Sequence, residues 1–112
     1  MIVAFSLQPT GTPSDPSIQR DLAPGSDAAS VHDAVAAAVR IVRESGLPSR
    51  TSSMFTEIEG EWDEVMDVVK RATAAVAPYG SRISLVLKAD IRPGYEGQLD
   101  AKVERLETAL GD

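Results

Sequence analysis

Met54-Phe55-Thr56-Glu57-Ile58-Glu59-Gly60-Glu61-Trp62-Asp63-Glu64-Val65-Met66 changes its apolar period within a few residues. Up to Glu59 the pattern alternates, with Met54, Thr56 and Ile58 on one side of a strand and Phe55, Glu57 and Glu59 on the other. After Gly60 the spacing becomes three to four: Trp62, Val65, Val69, Ala72 and Val76 form the stripe of a helix over about 61–77. Glu61, Asp63 and Glu64 crowd its start and Lys70 and Arg71 come later, the order that the helix dipole favours. Pro78-Tyr79-Gly80 breaks it.

Working outward, Ser52-Ser53 mark a tight connection between this strand and a shorter one before it, within Arg50 to Gly60. A first helix is expected from Val31 to Ser45, with Ser30 as N-cap and Val31, Val35, Ala38, Val39 and Val42 as its apolar stripe. Gly46 supplies the left-handed position after it and Pro48 prevents continuation. The chain opens on a strand, Ile2 to Gln8, with Val3, Phe5 and Leu7 on one face and Ala4, Ser6 and Gln8 on the other. The last strand, Arg82 to Ile91, puts Ile83, Leu85, Leu87 and Ala89 opposite Ser84, Val86, Lys88 and Asp90. A third helix over 98–110 is expected to bury Leu99, Val103, Leu106 and Leu110. Residues 9–30, rich in proline and poor in apolar residues, read as a long loop of the kind that is either functional or unstructured.

The order β-α-β-β-α-β plus a helix predicts an α+β, ferredoxin-like sandwich spanning 1–112 as one domain. Both crossover helices then cover one face of a four-stranded antiparallel sheet and leave the other open. The strand residues of that open face are the candidate binding residues: Ser6, Gln8, Phe55, Glu57, Glu59, Ser84, Lys88 and Asp90, with Val86 among them. Carboxylates accept from an amino group or face an organic cation, hydroxyls and amides read ring nitrogens, and an aromatic ring stacks. The same alternation also describes a merely solvated face, or one covered by another subunit.

Composition narrows the function classes. The 112 residues carry a formal net charge of −6, the sign opposite to what displaces counterions from nucleic-acid phosphates. There is no apolar stretch approaching a membrane span and no recognisable signal peptide, so the expectation is a cytoplasmic chain with neither nucleic acid nor membrane as partner. Without cysteine there is no disulfide framework, thiolate catalysis or cysteine-based zinc site. His32 stands alone, and Gly11 and Gly25 are isolated rather than part of a phosphate loop. Glu57 and Glu59, two residues apart, have no nucleophile nearby to serve. No catalytic residue, metal site or cofactor is expected.

The stretch from Met54 to Met66 resembles the signature of the small thiamine-binding, YkoF-like proteins, with Ile58-Glu59-Gly60-Glu61-Trp62-Asp63-Glu64-Val65 its most specific part. Met1-Ile2-Val3-Ala4-Phe5-Ser6, Arg40-Ile41-Val42-Arg43-Glu44-Ser45-Gly46-Leu47 and Ser84-Leu85-Val86-Leu87-Lys88-Ala89-Asp90-Ile91-Arg92-Pro93-Gly94 are similar to the same family at matching places. The resemblance implies a ferredoxin-like fold, a homodimer or homotetramer built through the sheets, no catalysis, and thiamin or hydroxymethylpyrimidine as ligand. Phe55 and Glu57 depart from the family's usual glycine and apolar residue. The resemblance leaves open an interaction module whose sheet face serves oligomerisation alone.

Overall fold

The computed structural model describes residues 1–14, 18, 28–94 and 97–111, with the side chains of 28–31 left aside. In chain order these form β1 (Ile2–Thr10), α1 (Ala28–Glu44), β2 (Ser49–Thr51), β3 (Thr56–Glu59), α2 (Trp62–Val76), a 3-10 turn (Ala77–Tyr79), β4 (Arg82–Asp90) and α3 (Gln98–Gly111). The sheet is antiparallel with order β2-β3-β1-β4, the ferredoxin-like arrangement that the element order predicts. The long loop expected over 9–30 lies mostly outside the described residues; at its two ends β1 continues to Thr10 and α1 already runs from Ala28. Ser30, expected as N-cap, is therefore inside the helix.

The core forms where the inward parity of the strands meets the stripes of α1 and α2. Val3, Phe5 and Ile58 from the sheet pack with Ala34, Ala38 and Val42 of α1 and Val65, Val68, Val69, Ala72 and Val76 of α2. Val3 faces Ile58 across the β1–β3 ladder and Phe5 faces Thr56, so one parity supplies the whole sheet side of the core. Gly46 follows α1 in the left-handed region at φ +76°, and the Ser45 hydroxyl donates to the Val42 carbonyl at 2.5 Å, closing the last turn. A reciprocal capping box between Glu61 and Glu64 starts α2. Trp62 differs from expectation. It is the first residue of α2 and is 55% exposed.

β3 is shorter than its alternation suggests. Ser52 ties the β2–β3 connection down: its amide donates to the Phe55 carbonyl at 2.8 Å and its hydroxyl accepts from the Phe55 amide at 3.2 Å. Met54 and Phe55 belong to this turn rather than to the strand.

The largest difference from the sequence reading concerns the face away from α1 and α2. It is not bare, because the start of α3 lies across one end of it. Glu59, on the outward parity of β3, accepts from the amides of Gln98 at 2.7 Å and Leu99 at 3.3 Å. These are among the donors that a helix start leaves unsatisfied, and a carboxylate there also complements the dipole. Arg50 pairs with Asp100, and Lys102 with Asp90, on either side of the helix. Leu99 is buried, but the rest of the expected stripe is not: Leu106 is 57% and Leu110 73% exposed. α3 is thus fastened by its first turn and a half while its distal part stands clear of the body.

Two outcomes follow. Gly80 lies against β1, where an added Cβ would stand 2.5 Å from the Thr10 carbonyl oxygen, so Gly80→Ala should cost about 1–3 kcal/mol in urea denaturation. Glu59→Ala removes an anionic acceptor of one buried and one part-buried amide and should cost about 1.5–3 kcal/mol. Its hydrogen-exchange signature should be lost protection at Gln98–Ala101, with α2 amides unchanged.

Candidate functional site

Strand register sorts the outward residues into rows. Glu59 and Asp90 flank Ile2; Glu57 and Lys88 flank Ala4; Ser6 sits beside Val86, and Gln8 beside Ser84. Successive rows lie about 7 Å apart along β1. On the far side of Glu57, Arg50 of β2 completes the second row as Arg50, Glu57, Ala4 and Lys88.

Over the first two rows α3 turns the sheet face into a cleft of about 430 Å³. Ile2 and Ala4 form its floor, Glu57, Lys88, Ala89 and Asp90 its sides, and Leu99, Lys102 and Val103 its roof. The small Ala4 in the central strand leaves room between Glu57 and Lys88. Among the described residues the ion pairs are Arg50–Asp100, Asp67–Arg71 and Asp90–Lys102, so that Glu57 and Lys88 stand as opposite charges on either side of the floor with no ion-pair partner among those residues. Glu57 is half-buried and Lys88 exposed. The cleft therefore offers an uncommitted carboxylate, an uncommitted ammonium and apolar surface above and below, the composition of a small-molecule site.

Of the sequence-derived residues, Glu57, Lys88 and Asp90 line this cleft. Glu59 lies behind it, 7% exposed, with both carboxylate oxygens on the α3 amides. Gln8 and Ser84 share the face two rows further along. Phe55 is in a different place. With Ser6 it lines a smaller cavity of about 90 Å³ beside Phe5, Leu7, Val35 and Val39, between the β2–β3 turn and α1. Among the described residues no aromatic ring lines the roofed cleft. The roof itself was not read from the sequence as part of a site. Leu99 and Val103 carried only a helical period, and that period is the same whichever side of a sheet the helix covers. Among the described residues no group of three or more His, Cys, Asp or Glu converges as metal ligands, and no helix is long and apolar enough to cross a membrane.

The comparisons with known proteins agree with this architecture. The chain is 41% identical over 111 residues to the UPF0045 protein Mb1933 of Mycobacterium bovis, covering 98% of this chain and 94% of that one. A Bacillus cereus domain-of-unknown-function DUF77 structure superposes with a TM-score of 0.71 at 28% identity, covering 93% of this chain and 86% of the other. A Thermotoga maritima structure, described as that of a candidate thiamine biosynthesis/salvage protein, gives a TM-score of 0.65 at 21% identity over 95% of this chain and 99% of that one, a likeness of fold. The model of the thiamine-binding protein family matches residues 18–107, and with that match spanning both crossover helices, the middle and last strands and most of the roof helix, the chain belongs to the thiamine-binding protein family.

Proposed function

We propose that this protein binds thiamin or its hydroxymethylpyrimidine half in the cleft between the sheet and α3, as a homo-oligomer, and catalyses no reaction on it. The observation that carries the reading is the pair Glu57 and Lys88, facing each other across the Ala4 floor of a cleft with no ion-pair partner among the described residues, in a chain of this family. A carboxylate at Glu57 accepts from the pyrimidine amino group and attracts the thiazolium charge; Lys88 donates to a ring nitrogen or the hydroxyethyl oxygen. Leu99 and Val103 cover the ring from above. Ser6, Gln8 and Ser84 extend polar contacts along the same face for the second ring, while Asp90 and Glu59 hold the roof through Lys102 and the α3 amides. Phe55, in the neighbouring cavity, is a boundary of this site.

A second reading draws on the exposed apolar side chains of Val86, Leu106 and Leu110, which suit a face that serves only to assemble copies. It predicts an oligomer indifferent to thiamin.

Isothermal titration separates the two. Thiamin should bind saturably, and Glu57→Gln should weaken it by about ten- to a hundredfold, the loss of one charge-assisted contact of about 1.5–3 kcal/mol. Phe55→Ala should leave affinity within about threefold, because its ring lies outside the cleft. Absence of heat and of thermal stabilisation with the wild type would support the assembly reading. Equal affinity of wild type and Glu57→Gln would place the ligand elsewhere.

A further inference from the structure

The row Arg50, Glu57, Ala4, Lys88 does not pair its charges as its register invites. Arg50 and Glu57 are direct partners across the β2–β3 ladder, where the Cβ atoms of facing residues stand about 4.5–5.5 Å apart and opposite charges attract. Arg50 nevertheless reaches to Asp100 of α3, and Glu57 has no ion-pair partner among the described residues. The other end of the row repeats this. Lys88 and Asp90 share one face of β4 about 7 Å apart, within reach of a lysine stem. Asp90 instead takes Lys102 of α3, and Lys88 has no ion-pair partner among those residues. Asp100 and Lys102, two residues apart, leave the helix about 200° apart around its axis and so serve opposite sides of the cleft.

We infer that docking of α3 exchanges ion-pair partners, and that this exchange leaves Glu57 and Lys88 open to a ligand. With α3 undocked, Arg50 pairs with Glu57 and Lys88 with Asp90, and the row is neutralised on the sheet itself. With α3 docked, Asp100 draws Arg50 off Glu57 and Lys102 draws Asp90 off Lys88. Each state has two of these pairs, so the charges do little to choose between them. The choice falls to the Glu59 bonds with the Gln98 and Leu99 amides and to the burial of Leu99. The four side chains that pair with or within α3 are 44–68% exposed, and exposed pairs of this kind are weak enough to be replaced.

Arg50, which is not among the residues lining the cleft, is thereby a positioning residue that acts through Glu57. A ligand seated on Glu57 blocks the return of Arg50 and favours docked α3. That consequence rests on the ligand reading given above; the exchange of partners does not.

Hydrogen exchange at the amides of Lys102, Val103 and Glu104, measured without ligand, reads the undocking of α3. Glu57→Gln deprives the undocked state of its pair and should slow these amides about two- to fivefold, with α2 amides unchanged. The slowing should vanish in an Arg50→Gln background, where nothing returns to Glu57. It should vanish equally in an Asp100→Asn background, where Arg50 sits on Glu57 in both states, and it should fade in about 1 M salt. Lys88→Gln should slow the same amides to a similar degree, and only while Lys102 is present. Unchanged or faster exchange in Glu57→Gln or Lys88→Gln would overturn the exchange of partners. So would slowing that persists without Arg50, because it would report plain repulsion between Glu57 and Asp100. Thiamin takes no part in these measurements, so their failure and a failure of the ligand assignment are read separately.

Discussion

Glu59 occupies a strand position whose parity turns its carboxylate away from the hydrophobic core, and there it accepts the first amides of α3. Much else depends on that contact. A helix start presents several donors with no intrahelical acceptor, and burying them against a sheet is unfavourable unless an acceptor is already in place. Glu59 supplies it, Leu99 adds a buried apolar contact, and the Arg50–Asp100 and Asp90–Lys102 pairs fix the helix direction from both sides. Surface ion pairs of this kind contribute little stability individually. Their effect is orientational, and it leaves a gap over Ala4 rather than a flush seal.

The strand alternation therefore has two chemical outcomes on one side of the sheet. Inward residues such as Val3, Phe5 and Ile58 make an ordinary core with α1 and α2. Outward residues divide by row: the row through Ile2 fastens the roof, and the row through Ala4 faces the space beneath it. A single carboxylate position, Glu57 or Glu59, changes role by moving two residues along β3. The same division leaves Glu57 without an ion-pair partner among the described residues, since its acidic neighbour Glu59 is spent on backbone amides and Asp90 on Lys102.

Much of this was legible in the residues. The period change at Gly60 locates β3 and α2, the parity of β1, β3 and β4 assigns the outward residues to one face, and the Gly46 turn ends α1 where its left-handed φ requires it. Three features were not legible, each for a physical reason. Phe55 alternates like a strand residue, but Ser52 captures its backbone in a turn, and a side-chain-to-backbone bond of this kind overrides periodicity. Trp62 falls on the helical stripe, but it is the first residue of α2 and lies beside Met1 and Ile91 at the rim of the core, still 55% exposed. The apolar period of α3 announces a buried helix, but only its first turn and a half is fastened to the body; amphipathicity states that a face wants a partner and not which partner. The roof, and with it the cleft, follows from that third point.

Hydrogen exchange with and without saturating thiamin tests the central claim most directly, because it reports where the ligand sits amide by amide. The account predicts slowed exchange concentrated in Ile2–Ala4, Glu57–Glu59 and Gln98–Val103, the floor, side and roof of one cleft. Protection confined to the Ser52–Phe55 turn and α1, with the start of α3 unchanged, would contradict it.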